Sequence, residues 1–286
     1  MGRANFQKIA ETLSMISNTY FHPMKDYQNI NRQSWNERVD SHLKSDFYDV
    51  EGFLKGKTSL KEFELPLLGD VSGNSILHLQ CHFGQDTLSL ARMGAKCTGI
   101  DLSDKAIASA KELNEKLGLD AKFIACDVYD TPNQVNEKFD IVYTSYGTIG
   151  WLPDINRWAA VVNHFLKPGG KLIFVEFHPV VWMFDDDFTK VKYPYHNAEP
   201  IVEQESGTYA DRDADIRPKY VSWNHGLGEV VSALLAQGLT ISSFKEYDYS
   251  PYDCFAHTIE FEPGKFRIKH LGDKIPMVYS LVVEKS

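Results

Sequence analysis

The chain has no apolar run long enough to span a bilayer, no cysteine pair at C-x-x-C spacing, no basic cluster, no internal repeat and no low-complexity tract. Each absence removes a class of protein. A membrane span needs about 20 consecutive apolar residues, so no membrane partner is expected. The four cysteines, Cys81, Cys97, Cys126 and Cys254, lie far apart, with Cys97 and Cys126 in strand-like stretches. They suit reduced thiols in a reducing compartment, without a disulfide framework or zinc site. A formal net charge of −9 with scattered lysines repels a phosphate backbone and argues against a nucleic-acid partner. Residues 1–30 are mixed and polar, unlike a secretory signal, so the expected location is cytoplasmic.

What is there is an alternation of strand and helix patterns. Ser75–Leu79 reads as a short apolar strand, followed by a turn that keeps Gly84. Asp86–Met93 has helical spacing and ends at Gly94; Lys96–Ile100 is a second strand, with Asp101 at its end. A helix over Asp104–Leu117, capped by Ser103 and stopped by Gly118, leads to strand Lys122–Ala125 and then Asp127. Strand Phe139–Thr144, helix Ile155–Leu166, a Pro168-Gly169-Gly170 turn and strand Lys171–Phe177 complete the alternation. Residues 178–224 break the rhythm and are rich in aromatics, Asp, Pro and His. A helix over Leu227–Gln237 and strands Thr240–Tyr247 and Met277–Val283 close the chain.

This order predicts an α/β fold with a mostly parallel sheet and helices on both faces. Ahead of it, residues 4–17 carry Phe6, Ile9, Ala10, Leu13 and Ile16 at helical spacing, residues 33–46 form a second candidate helix, and Leu60–Leu68 leads into the first strand. The expected division is an N-terminal helical lid over 1–68 and a sheet domain over 69–286, within which 178–224 is a substrate-covering insert.

The first βαβ unit ends on a carboxylate seventeen residues past its turn glycine. That geometry suits a ligand with an adenosine ribose: turn amides hold one end and the carboxylate accepts from the ribose diol. With Asp127 in FIACDVYD, Phe139-Asp140-Ile141-Val142 and Leu166-Lys167-Pro168-Gly169-Gly170, the chain resembles the class I S-adenosylmethionine-dependent methyltransferases. The resemblance implies a Rossmann-like seven-stranded sheet in the order 3-2-1-4-5-7-6, with strand 7 antiparallel, and S-adenosylmethionine as cofactor. By position it implies that Leu79, Gln80, Cys81 and Gly84 pass under the methionine part and that Asp101 binds the ribose, with Leu102 beside the adenine. It also implies that Asp127 and Val128 meet the adenine amine, and that Ser145 and Tyr146 border the methyl donor. The first motif departs from the family: His78 stands at its acidic position, and Gln80 and His82 replace two glycines.

The acceptor expected is a small molecule, planar or apolar if Phe184, Tyr193, Tyr195, Tyr209 and Trp223 of the insert line its pocket. Methyl transfer needs alignment of nucleophile, methyl and sulfur, and a general base if the acceptor is a hydroxyl. His178, directly after strand Lys171–Phe177, is the candidate base; His196, His225 and His257 are weaker ones, and Glu176 reads as a pairing residue. Trp35 and Arg38, three apart on the second helix, share a face and could cover the sulfonium and pair the cofactor carboxylate. Tyr20, Phe21 and Tyr27 could line the same mouth. Asp185-Asp186-Asp187 reads as a solvated acidic patch, so no metal is expected. Two alternatives stand beside methyl transfer: a cofactor-binding module without turnover, and a nicotinamide-dependent oxidoreductase, which the absence of G-x-G-x-x-G disfavours. DNA methylation is disfavoured by Ser145-Tyr146-Gly147-Thr148 after the fourth strand, where an Asn-Pro-Pro-Tyr motif would be needed.

Overall fold

The computed structural model describes residues 26–286, so the helix expected over 4–17, with Tyr20 and Phe21, lies outside the described residues. Strands β1 (Ser75–Leu79), β2 (Lys96–Asp101), β3 (Lys122–Ala125), β4 (Phe139–Ser145) and β5 (Leu166–Phe177) pair in parallel. Strands β6 (Ile201–Gln204) and β7 (Lys219–Ser222) form a separate hairpin, as do β9 (Thr258–Glu262) and β10 (Lys265–Ile268). The last strand, β11 (Val278–Glu284), inserts between β5 and β8 (Thr240–Tyr247), antiparallel to both. The seven-stranded order is therefore β3-β2-β1-β4-β5-β11-β8, as the family resemblance implies.

Helix α1 (Tyr27–Lys44) and the short α2 (Val50–Leu54) and α3 (Leu65–Leu68) precede the sheet. Between strands come α4 (Gln85–Arg92), α5 (Asp104–Lys116), α6 (Thr131–Gln134), α7 (Ile155–Phe165) and α8 (Leu227–Ala236). One face of the sheet buries Trp158, Phe165 and Leu234 from α7 and α8; the other buries Leu88, Leu90 and Ile107 from α4 and α5. Parallel strands covered on both faces read as near-continuous apolar runs, which is why β1 ends where the sequence puts it.

Three boundaries differ from expectation for physical reasons. Helix α1 starts at Tyr27, six residues before the expected 33, because the face it buries is Asn31, Ser34, Arg38, Val39 and His42, with almost no apolar periodicity. Strand β5 starts at Leu166 because the chain through the Pro-Gly-Gly turn stays extended; a Cβ on Gly170 would sit 3.0 Å from the Asp140 carbonyl, so this close pairing needs glycine. The hairpins β6–β7 and β9–β10 occupy stretches that read as irregular.

Helix α1 and the insert are stitched together. The Asn31 side chain donates to the Val221 carbonyl (2.8 Å) and accepts from the Val221 N–H (2.9 Å), as a neighbouring strand would. Asn36 donates to Asp104 (2.9 Å) and accepts from the Ser103 hydroxyl (2.6 Å) at the start of α5. No helix among the described residues is long and apolar enough to cross a membrane.

Candidate active site

The C-terminal ends of β1, β2, β4 and β5, the segment after β3, helix α1 and the insert surround a cavity of about 960 Å³. Its floor is the turn after β1. Gln80 and His82 adopt positive φ (57° and 51°), and Gly84, at φ 81°, begins α4. A Cβ on Gly84 would meet the Phe123 ring at 2.6 Å. Gly84→Ala is therefore expected to cost about 2 kcal/mol, from the left-handed backbone and the forced ring shift together; chemical denaturation reads it, and an unchanged midpoint would contradict it.

Asp101, at the end of β2, is buried and accepts from the His82 N–H (2.7 Å) and the Ser103 N–H (2.8 Å). Burial raises its carboxyl to about 6 against the lowering effect of those two donors. Asp127 accepts from the Tyr129 N–H (2.7 Å) and from the Gln28 amide of α1 (2.9 Å), and burial raises its pKa as well. Both carboxylates face the cavity, with Leu102 and Val128 beside them. Gln80 donates to the Thr148 carbonyl (2.7 Å), but its Oε1 and the Nε2 of His82 are buried without a partner among the described residues. Orphaned polar atoms are rare in proteins, and these two belong to residues that line the cavity.

Trp35 and Arg38 also reach the cavity wall, where the Trp35 ring packs against His82 (5.3 Å) and Trp151 (5.1 Å). The Arg38 guanidinium is buried among Trp35, Trp151 and Tyr220 at 5.4, 5.9 and 5.5 Å, and pairs with Glu205 at 3.5 Å. Cys81, Ser145 and Tyr146 complete the predicted set that lines the cavity, and the buried Cys81 thiol is held well above its ordinary range.

Two predicted positions are corrected. Leu79 lies in the sheet core, its carbonyl accepting from the Thr144 hydroxyl (3.2 Å), and does not line the cavity. His178 does not line it either: Nε2 is 2.9 Å from Glu246 on β8, and Nδ1 accepts from the Val180 N–H (3.2 Å). The strand ends at Phe177 and the chain turns, carrying the imidazole onto Tyr279. His78, at the family's acidic position, is buried against Thr87 and Tyr143; burial lowers it to about 4 and keeps it neutral.

Of the other histidines, His225 lines the cavity between the Leu152 carbonyl and Glu229, while His257 pairs with the exposed Asp187. Within the insert, Phe184, Tyr193, Tyr209 and Trp223 line the cavity as expected, whereas Tyr195 turns away to accept from the Leu227 N–H. Tyr27 packs on Trp223 at 5.2 Å. Asp185 is occupied by Thr189 and Lys190.

The most connected group of the site is one that the sequence reads as a pairing residue without naming its partners. Glu176, buried on β5, accepts from the N–H groups of Gly147, Thr148 (2.7 Å) and Ile149 (3.2 Å) and from the Thr148 hydroxyl (2.8 Å). It fixes the turn after β4 that presents Tyr146 and Trp151. An acidic residue inside an otherwise apolar strand was its only signal.

Residues 76–170 match a family profile described as a methyltransferase domain. A methyltransferase of uncharacterized function from Synechocystis sp. is 33% identical over 131 residues, 45% of this chain and 59% of that one. A ubiquinone biosynthesis O-methyltransferase of Bordetella avium is 27% identical over 138 residues, 47% of this chain and 57% of the relative. The chain thus spans little more than half the length of these relatives. Among solved structures, geranyl diphosphate C-methyltransferase from Streptomyces coelicolor A3(2), in complex with Mg2+, geranyl diphosphate and S-adenosyl-L-homocysteine, aligns with a TM-score of 0.59 at 15% identity, over 93% of this chain and 100% of that one. An S-adenosylmethionine-dependent methyltransferase from Mesorhizobium loti aligns with a TM-score of 0.52 at 20% identity, over 81% and 100%. At such identities the likeness is one of fold. The match over residues 76–170 identifies a methyltransferase domain, and the sheet that surrounds it has the fold of S-adenosylmethionine-dependent methyltransferases of known structure.

Proposed function

We propose that the chain binds S-adenosylmethionine and transfers its methyl group to a planar small molecule, most simply at a hydroxyl. The observation that carries this reading is the pair of buried carboxylates, Asp101 and Asp127, facing one cavity at the ends of adjacent strands. Asp101 retains lone pairs for a ribose diol, and Asp127 for an adenine amine that displaces or shares Gln28. Gln80 lines the cavity floor and, with a shift of its buried amide, offers Oε1 as an acceptor for an ammonium group. Arg38 is the cation placed for a carboxylate, and the Trp35 face suits a sulfonium. When bound, the cofactor supplies an electrophilic methyl; the protein aligns the acceptor and excludes water.

Residues 26–68 and the insert over 178–224 act as the cover, and their aromatic walls admit a ring rather than a polymer. The name of the Bordetella relative favours oxygen as the methylated atom. Four free thiols, Cys81, Cys97, Cys126 and Cys254, suit a cytoplasmic setting.

The test is titration calorimetry with S-adenosylhomocysteine across about pH 5 to pH 8. A ribose diol donates to the ionised carboxylate, so affinity is expected to fall as pH drops through about 6, where Asp101 takes its proton. Stability of the ligand-free protein should run the other way. Its folded pKa is raised above that of the unfolded chain, so the Asp101 contribution is full below about pH 4 and is lost as pH rises through about 6. Opposite slopes support the assignment; absent binding at every pH sinks the cofactor reading.

A further inference from the structure

The turn after β4 carries a second chemical device that cofactor binding leaves unused. Tyr146 adopts a left-handed backbone, φ 46°, unusual for a bulky residue and held by its N–H on the Val175 carbonyl (2.7 Å). The ring lies on the cavity wall, with the Tyr252 ring at 5.1 Å and the Phe177 ring at 5.7 Å. Its hydroxyl donates to Glu64 Oε2 at 2.7 Å. Glu64 is fully buried and does not line the cavity; its other oxygen accepts from the Lys61 N–H at 2.6 Å. Tyr146 thus stands between the cavity and an enclosed carboxylate. A phenol that donates inward keeps oxygen lone pairs free to accept from a ligand.

We propose that Tyr146 and Glu64 form a proton relay that takes the hydroxyl proton of an aromatic acceptor as it is methylated. This rests on the methyltransferase reading above. The acceptor oxygen bonds to the methyl carbon while the carbon–sulfur bond of the donor breaks and its electron pair returns to sulfur. The acceptor proton passes to the Tyr146 oxygen, and the Tyr146 proton passes to Glu64 Oε2, leaving a neutral carboxylic acid. The walls formed by Tyr252, Phe177, Trp182 and Phe255 suit a flat ring edge-on to Tyr146.

The titration behaviour of the pair agrees with the geometry. The groups that bear on Glu64 are the Asp86 carboxylate of α4 and the phenols of Tyr143, Tyr146 and Tyr252. Burial first, then Asp86, raises Glu64 to about 7, which matches a proton acceptor for neutral pH. Burial and Glu64 hold the Tyr146 phenol far above its ordinary range, so it passes a proton only in concert with Glu64.

The experiment uses the full chain saturated with S-adenosylhomocysteine and 7-hydroxycoumarin as an acceptor mimic, a planar phenol that ionises in free solution above the range of Glu64 and whose phenolate absorbs where the protein does not. Saturation is followed by calorimetry, which tests the cofactor reading separately. The wild type is expected to bind the mimic as its phenolate at a pH where the free compound is protonated, with ionisation rising through about pH 7. Tyr146→Phe keeps the ring and removes the relay, and Glu64→Gln keeps the shape and removes the proton acceptor. Either, once saturated with S-adenosylhomocysteine, should lower the bound phenolate fraction by about 10-fold or more. The proposal is overturned if the saturated wild type fails to bind the mimic, binds it protonated, or if both variants ionise it as the wild type does.

Discussion

Asp101→Ala is expected to weaken S-adenosylhomocysteine binding by about 100-fold or more in a calorimetric titration. Each hydrogen bond from a ribose hydroxyl to a buried carboxylate contributes about 1.5–3 kcal/mol, so loss of two removes at least two decades. The substitution also takes the acceptor from the N–H groups of His82 and Ser103, which loosens the positive-φ turn that floors the cavity. Asp101→Asn separates the two effects. One carbonyl oxygen remains, so the turn keeps part of its support while the charge is gone; binding should fall between wild type and Ala. Equal affinity in all three proteins would remove Asp101 from the ligand.

The largest stability loss is expected at Glu176. Glu176→Ala strands the N–H groups of Gly147, Thr148 and Ile149 together with the Thr148 hydroxyl. Each buried donor left without an acceptor costs about 1–3 kcal/mol. Part of this is offset because burial disfavours the Glu176 charge in the first place, as its raised pKa records. A net loss of about 3–5 kcal/mol is expected, read as a shift of the urea midpoint at unchanged slope. Glu176→Gln keeps one acceptor oxygen and should lose roughly half as much. A midpoint within error of wild type for Glu176→Ala would show that these donors find other partners.

Legibility in the sequence followed burial of apolar surface. Strand β1 has the expected limits because a run such as Ser75-Ile76-Leu77-His78-Leu79 has only one good use in a parallel sheet. Asp101 and Asp127 were placed by counting from strand ends, and they face the same cavity. The failures lie where polar groups are buried in pairs. Helix α1 turns Asn31, Ser34, Arg38 and His42 inward, so its period is invisible to a hydrophobicity pattern. Glu176 and Glu64 bury carboxylates whose partners on the turn after β4 are 27 or more and 82 residues away, beyond any local motif. The error at His178 lies past a strand end that was read correctly: β5 stops at Phe177 as expected, and the following turn decides where the imidazole goes.

The polar inner face of α1 has a consequence for how the protein is made. Its amide partner Val221 lies 190 residues downstream of Asn31. At about 5–20 residues per second, a ribosome takes about 10–40 s to deliver that partner. Throughout that interval the nascent helix waits with its future interface exposed to the crowded cell. A leucine stripe there would invite chaperones or other nascent chains, whereas Asn31, Ser34, Arg38 and His42 stay hydrated until the β6–β7 hairpin arrives. The weak amphipathicity that hides this helix from sequence analysis therefore leaves it hydrated until its partner strand is made.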